Sequence, residues 1–384
     1  MITPEADYKD FLKHLIAFNT ISDQSNLPMI DFLASFLEGH GFSTQRYFND
    51  DNTKANLIAR IGPETSGGIM LAGHTDVVPV EDQPWTTSPF SLVEQDGVLI
   101  GRGTSDMKGF IALICDVVEQ LDLSQLKRPV FLVFTYDEEV GCFGAKRLKE
   151  ALRKLADQID FALIGEPTNF SLVNTHKGLQ ANRTHFTGKP AHSSCPHLGH
   201  SAIMAAAGFL QKLPEKLPKE EDERFTPASM TFNAGKIHGG NALNIIAEHC
   251  LLDWECRPLP HMKASSIETV IDNCAEEVSR ETQVAIENEM VSFVPGLSAT
   301  QNQLVIQVLK PFLPEDIPVT AAPFVTEAGI FQEVDIPTIV FGPGELEQAH
   351  QPDESVSIEA MERYRRFLMT LIDNYCNKHL TTIS

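Results

Sequence analysis

Histidines and carboxylates follow several apolar segments of this chain, at the points where predicted strands end. They are His74 and Asp76 after residues 69–72, Glu138 and Glu139 after 130–135, Glu166 after 161–164, and His350 after 337–341, with Asp106 just before a predicted helix. Because ligand sites of open α/β sheets form at the carboxyl ends of the strands, we expect these side chains to converge. Converging carboxylates repel each other unless a cation neutralises them. A mixed histidine and carboxylate set suits Zn²⁺ or a similar metal, and a bridging carboxylate would allow two ions.

Two short spacings within this set predict different roles for its members. Glu138 and Glu139 are adjacent, and neighbouring residues of an extended segment point to opposite sides. One of them can bind a metal, while the other faces the attacking water as a general base. His74 and Asp76 are two residues apart, so Asp76 could orient the imidazole of His74 through its second nitrogen. Taken singly, each residue has an ordinary explanation, such as a helix N-cap for Asp106.

The elements that must position these residues alternate between strands and helices. Apolar strands over 56–61, 69–72, 130–135 and 161–164 alternate with helices over 110–121 and 145–155. This pattern predicts an α/β domain with a mostly parallel, buried sheet. Residues 178–288 instead read β-α-β-β-α-β, the order of a ferredoxin-like α+β sandwich. We therefore expect a catalytic domain built from residues 1–177 and 289–384, with residues 178–288 as an inserted domain.

Composition narrows the classes of function. The chain has 384 residues, with 30 Lys and Arg against 52 Asp and Glu, so its formal net charge is −22. Such a surface disfavours binding to nucleic acid or to an anionic membrane. The cysteine count, 7, is odd and includes no CxxC pair, which favours a reducing compartment. Neither a secretory signal nor an apolar run of about 18 residues is found, and we expect a cytoplasmic protein.

Several motifs resemble those of the M20 family of co-catalytic zinc metallohydrolases, and the resemblance extends over essentially the whole chain. The matching segments are residues 73–79, 101–109, 137–141 and 165–168, then 188–194 and 239–246 in the insert, and Arg257. The resemblance implies a zinc-peptidase-like fold for the catalytic domain. It also implies a homodimer, in which the insert serves as lid and dimerisation domain.

The same resemblance implies specific ligands for two Zn²⁺ ions per subunit, which Co²⁺ can replace. One ion would be held by His74, Asp106 and Glu166, and the other by Asp106, Glu139 and His350, with Asp106 bridging. Glu138 would be the general base, and Asp76 its companion.

Further residues are assigned by resemblance to the substrate. His192 would reach the partner's active site and stabilise an oxyanion, and Arg257 and Asn244 would contact a substrate carboxylate. Glu327 is the candidate for a substrate ammonium group, with a solvated loop acid or a helix N-terminal charge as the alternative.

The implied activity is removal of an acetyl group from a small acylated amino acid. Two alternatives stay open at this point. One is another amide hydrolase of the family, acting on a diacidic substrate or a dipeptide. The other is a catalytically dead protein that binds a metal or an amino acid.

Overall fold

The apolar strands predicted from the sequence assemble into one eight-stranded sheet. The structure is a computed structural model that describes residues 7–377, so part of the N-terminal segment considered for a secretory signal lies outside it. In order across the sheet, the strands are β1 (Ser43–Phe48), β2 (Ala55–Ile61), β6 (Val130–Thr135), β3 (Gly68–His74), β7 (Ile159–Ile164), β14 (Thr338–Val340), β8 (Leu172–His176) and β13 (Val319–Ala322). β6, β3, β7 and β14 run parallel, whereas β1, β2 and β8 pair antiparallel with their neighbours. The predicted parallel sheet is thus confirmed at the centre, and the flanks are antiparallel.

Helices flank this sheet, and β3 and β6 are buried along their whole length. Burial on both faces is the reason for their continuous apolar sequences. The helices are α1 (Tyr8–Ala17), α2 (Leu27–Gly39), α3 (Lys108–Gln120), α4 (Phe143–Arg153), α7 (Gln303–Leu309), α8 (Ala328–Gln332) and α9 (Ile358–Leu371). A small sheet contains β15 (Ser355–Ser357), β5 (Val98–Ile100) and β4 (Val93–Gln95). Between residues 7 and 377, none of the helices combines the length and apolar character needed to cross a bilayer.

A second unit consists of Thr175–Leu297 together with Ala321–Val325, and the rest of the described chain belongs to the first. Its elements are β9 (Leu179–Thr187), α5 (Ala202–Lys216), β10 (Thr231–Gly239), β11 (His249–Arg257), α6 (Ala264–Thr282) and β12 (Ala285–Val294). The four strands form an antiparallel sheet in the order β10-β11-β9-β12, which is the ferredoxin-like arrangement. The sequence-based boundary at 288 falls within β12, because residues up to Val294 continue to pair with β9.

A close approach at Gly165 fixes the exit from β7. A Cβ atom there would lie 2.0 Å from Cγ of the buried Phe110 on α3. In contrast, a Cβ at Gly208, inside α5, would meet its nearest neighbour, Val278, at 3.8 Å. The residue after Gly165 is Glu166, so this contact also determines where that carboxylate emerges from the sheet.

We expect Gly165→Ala to lower the melting temperature, since overpacking of a buried site costs roughly 1–3 kcal/mol. The matched control Gly208→Ala should be neutral or stabilising, because alanine is favoured over glycine in helix interiors by up to about 1 kcal/mol. Thermal unfolding followed by circular dichroism measures both. Equal melting temperatures for the two variants would contradict this account of the β7 exit.

Candidate active site

The parallel register of the central strands brings the predicted residues to one edge of the sheet. His74 ends β3 and lies opposite Thr135, the last residue of β6. Ala72 lies opposite Ile164, the last residue of β7. The segments that carry Glu138, Glu139 and Glu166 therefore leave the sheet beside His74, as expected for the carboxyl ends of parallel strands.

The His74 imidazole is almost completely buried and contacts two carboxylates. Its Nε2 lies 2.9 Å from Oδ1 of Asp106 and 3.6 Å from Oε1 of Glu166. Its Nδ1 lies 2.9 Å from the main-chain carbonyl oxygen of Asp76 and donates to it. This hydrogen bond assigns the Nδ1–H tautomer to the neutral ring, which leaves the Nε2 lone pair facing the carboxylates.

His350 approaches the same cluster from the loop after β14. Its Nε2 lies 3.1 Å from Oε2 of Glu139 and 3.4 Å from Oδ2 of Asp106. Asp106 thus directs one carboxylate oxygen toward each histidine. Such an arrangement is what a carboxylate that bridges two cations requires.

Two groups of ligand atoms in this cluster are close enough to hold an ion. One contains His74, Asp106 and Glu139, and the other contains His74, Glu138 and Glu166, with all atoms of a group within 4.8 Å of one another. Neither group equals a predicted ligand set, because the first combines His74 with Glu139 and the second includes Glu138. The structure therefore places the predicted general base directly beside predicted ligands.

The charges of the cluster fit a divalent cation. Burial raises the pKa of Glu138 and Glu166 well above their ordinary values, and neighbouring carboxylates add to the effect. Hydrogen bonds to Asp106 and Glu139 raise the pKa of His350 to about 10. The carboxylates of the cluster thus stabilise positive charge placed beside them. Histidine nitrogens and carboxylate oxygens together are a donor set for Zn²⁺ or a similar first-row metal.

The position of Asp76 corrects one prediction. Its carboxylate lies 3.7 Å from Nδ1 of His74, and its main-chain carbonyl, instead of the carboxylate, orients that ring. The carboxylate accepts hydrogen bonds from Ser22 Oγ at 2.8 Å and from the main-chain N–H groups of Glu138 and Glu139 at 3.1 and 3.3 Å. Asp76 therefore holds the turn that presents the two glutamates.

Sequence reasoning missed two residues that support this turn. Ser22 donates to Asp76, and Lys54 forms a 2.6 Å ion pair with Asp137, the residue before Glu138. Asp137 has a φ of 55°, in the left-handed region, and its ion pair with Lys54 helps to hold that conformation. Ser22 and Lys54 lie outside the recognised motifs, so only the fold reveals them.

Glu327 is buried, with 1% of its surface exposed, which rules out the alternative of a solvated loop acid. Within residues 7–377, neither of its carboxyl oxygens has a hydrogen-bond partner. Burial raises its pKa to about 7, and the neighbouring Thr135 side chain opposes the shift. The charge of Glu327 in turn raises the pKa of Glu138.

The other three predicted residues belong to the second unit. His192 is exposed, and its strand-like bridge to Ile245 places it beside Asn244, whose carbonyl accepts from Ser193 N–H at 3.1 Å. The N–H of Ser194 donates to Nδ1 of His192 at 3.2 Å, which leaves Nε2 as the hydrogen-bond donor of the neutral ring.

Arg257 of the second unit is engaged in an ion pair of its own. Its guanidinium donates to Glu255 from Nε at 3.1 Å and from Nη2 at 3.3 Å. It does not take part in the His192–Asn244 pairing.

The fold and the cluster define a metal-dependent hydrolase. The model of Peptidase family M20/M25/M40 matches residues 70–374, and the chain belongs to this family. The chain is also 36% identical to the acetylornithine deacetylase of Shigella sonnei over 381 residues, which cover 96% of this chain and 97% of that protein.

Solved structures of the family share this fold. The M20 family metallo-carboxypeptidase Sso-CP2 from Sulfolobus solfataricus superimposes with a TM-score of 0.79 at 16% identity, over 96% of this chain and 99% of the other. A dinuclear metal binding peptidase of the M20 family from Bacillus subtilis gives a TM-score of 0.68 at 16% identity, over 95% and 96% of the two chains. At these identities, the likeness concerns the fold alone.

Glu327 should make the stability of the metal-free protein depend on pH. Its pKa is about 7 in the folded chain against 4.5 as the ordinary value, so the folded state binds more protons between these pH values. Stability should therefore fall as pH rises from about 4.5 to 7, by up to about 3 kcal/mol.

Glu327→Gln should remove this loss, so that its melting temperature exceeds that of the wild type at pH 8 more than at pH 5. Thermal unfolding of chelator-treated protein at both pH values tests this, with Glu347→Gln, a change of an exposed acid, as control. Parallel pH dependences of wild type and Glu327→Gln would show that the pKa of Glu327 in the folded protein is not raised above its ordinary value.

Proposed function

We propose that this protein hydrolyses N2-acetyl-L-ornithine to L-ornithine and acetate, a step of arginine biosynthesis. The observation that carries the choice of substrate is the 36% identity to the Shigella sonnei acetylornithine deacetylase along nearly the full length of both chains. The reaction type is supported by the half-buried carboxylate of Glu138, which lies beside the other histidine and carboxylate side chains of the cluster. Residues 323–328 and 342–354 also resemble those of acetylornithine deacetylases, and residues 326–328 differ from the pattern of succinyl-diaminopimelate desuccinylases.

We propose Zn²⁺ as the metal, replaceable by Co²⁺. His74, Asp106 and Glu166 would hold one ion, and Asp106, Glu139 and His350 the other. Two such ions supply Lewis-acid polarisation of the amide carbonyl and a lower pKa for the attacking water. The contacts of Asp106 with both histidines support its assignment as the shared ligand.

The chain's own residues would carry the proton transfers. Glu138 takes the proton of the attacking water and later delivers it to the leaving α-nitrogen of ornithine. Asp76 keeps Glu138 in place through its N–H group. His192, with Nε2–H available, would donate a hydrogen bond to the acetyl carbonyl oxygen, which becomes an oxyanion when water attacks. Arg257 and Asn244 would bind the substrate's α-carboxylate, and Glu327 would favour its side-chain ammonium group electrostatically.

A homodimer that forms through the second unit is part of the proposal. Large apolar side chains are exposed on that unit, with Leu198 at 55%, Met204 at 67% and Leu243 fully exposed. β10 is an edge strand of its sheet, and an unpaired edge favours association with another strand. Clusters of exposed apolar residues mark association surfaces. We also infer that the enzyme works in the cytoplasm on a small molecule, with its thiols unpaired.

A comparison of substrates tests the proposed activity. With Zn²⁺ or Co²⁺ supplied, kcat/KM for N2-acetyl-L-ornithine should exceed that for N-succinyl-diaminopimelate by at least about 100-fold. The reason is that the additional carboxylates of the succinylated substrate would have no cationic partner in the proposed site. Steady-state assays of ornithine and succinate release measure the ratio. A higher value for the succinylated substrate would transfer the assignment to the desuccinylase branch. No turnover of either substrate would exclude both activities and leave a dipeptide hydrolase or a binding protein.

Replacement of Glu138 separates its role as base from that of a ligand. Glu138→Gln should retain the metal content of the wild type while kcat falls by roughly 10²–10⁴-fold, the usual contribution of a general base. Elemental analysis of the purified protein gives the metal content, and Glu345→Gln, at an exposed position of the His350 loop, is the control. Loss of one ion per subunit in Glu138→Gln would show that Glu138 is a ligand.

A further inference from the structure

Both carboxylate oxygens of Glu354 accept hydrogen bonds from the loop that carries Asp106. Oε1 accepts from the main-chain N–H groups of Ser105 at 2.9 Å and Asp106 at 3.0 Å. Oε2 accepts from the N–H of Gly103 at 3.0 Å and from Nη1 of Arg102 at 2.7 Å. The Glu354 side chain is only 1% exposed, so water contributes little to these interactions.

Arg102 extends the same network to the loop that carries His350. Besides Glu354, its guanidinium donates to the carbonyl of Gln351 at 3.3 Å and to Oε1 of Gln83 at 2.6 Å. Gln83 in turn donates from Nε2 to the carbonyl of His350 at 3.1 Å. Arg102 is 1% exposed and lies 5.0 Å from the ring centre of Trp85. One buried ion pair therefore fastens the segments 101–106 and 350–354 to each other.

We propose that Glu354, together with Arg102, is the positioning residue that sets the distance between Asp106 and His350, and thereby couples the two halves of the metal cluster. Asp106 contacts both histidines, so a shift of its main chain would disturb both ligand sets at once. The proposal rests on the proposed role of the cluster as a metal site and does not depend on the substrate.

The chemistry of the network requires a carboxylate. Three main-chain N–H groups and one guanidinium all donate toward Glu354, and a carboxylate is an acceptor on both oxygens. An amide at this position would turn an NH₂ group toward some of these donors. Removal of one charge from a buried pair also leaves its partner uncompensated. Glu354→Gln, which replaces the side chain by one of nearly equal size, should therefore displace the segment 101–106 as well as weaken the hydrogen bonds that hold it.

A matched control separates positioning from general loss of stability. Asp116 is 0% exposed and pairs with Arg365 in the same unit, and the charged groups that act on it are Arg365, Asp7 and Glu362, which do not belong to the cluster. Glu354→Gln and Asp116→Asn each remove one negative charge from a buried ion pair, so both should lower the melting temperature. Only Glu354→Gln should alter the metal cluster.

The test is a titration of each metal-free protein with Co²⁺, followed by visible absorption. In Glu354→Gln the apparent Kd should rise about 10–100-fold, as for changes in residues that orient ligands, and the Co²⁺ spectrum should change. Arg102→Lys, which keeps the charge but lacks the fork of donors, should give a smaller shift in the same direction and serves if Glu354→Gln does not fold. In Asp116→Asn the affinity and spectrum should match those of the wild type.

Wild-type Kd and spectrum in both Glu354→Gln and Arg102→Lys would overturn the proposal. Equal weakening in Asp116→Asn would also overturn it, because the effect would then follow from stability. A wild-type protein that binds no Co²⁺ would remove both this proposal and the metal site. A wild type that binds Co²⁺ but does not hydrolyse acetylornithine would remove the proposed substrate alone.

Discussion

Burial of several carboxylates at one edge of a parallel sheet is the constraint on which the structure of the site depends. Glu138, Glu139 and Glu166 all have raised pKa values, mainly because burial disfavours their anions. The N-terminal halves of β3 and β6 are apolar and buried, and that of β7 carries only the partly exposed Asp160. The site therefore needs positive charge at the carboxyl edge, and divalent cations bound by these carboxylates and by the neutral imidazoles of His74 and His350 would supply it.

Two further carboxylates, those of Asp76 and Glu354, bind the main chain of the segments that carry the cluster. Asp76 accepts from the N–H groups of Glu138 and Glu139, and Glu354 accepts from those of Ser105 and Asp106. In both cases, one buried acid fixes two successive peptide groups of a turn. A turn that leaves a strand or enters a helix has unpaired N–H groups, and a carboxylate satisfies several of them at once. The acidic residues of this edge are thus divided between those that face the cluster and those that shape it.

The convergence at the sheet edge could be predicted because it follows from strand ends, which apolar runs locate well. His74, Glu139 and Glu166 needed only the parallel order of three strands. The role of the Asp76 carbonyl could not be predicted, because spacing tells which side of a strand a residue occupies and not which of its atoms makes the contact. The burial of Glu327 could not be predicted either, although the residue itself was a candidate, because α8, which begins directly after Glu327, packs against α4 from a distant part of the chain. The end of β12 was predicted too early because residues 287–291 alternate weakly, while pairing with β9 continues to Val294.

The proposed binding of a substrate carboxylate by Arg257 requires that Arg257 can exchange its present partner, Glu255. Arg257 and Glu255 have 29% and 33% of their side-chain surface exposed, and such partly solvated pairs contribute only about 0–1 kcal/mol. Exchange of Glu255 for a substrate carboxylate would keep the number of charge-assisted hydrogen bonds constant. The planar guanidinium accommodates either carboxylate in the same bidentate way. The free-energy difference between the two states would therefore be small, and Glu255 would keep Arg257 paired until an acylated amino acid replaces it.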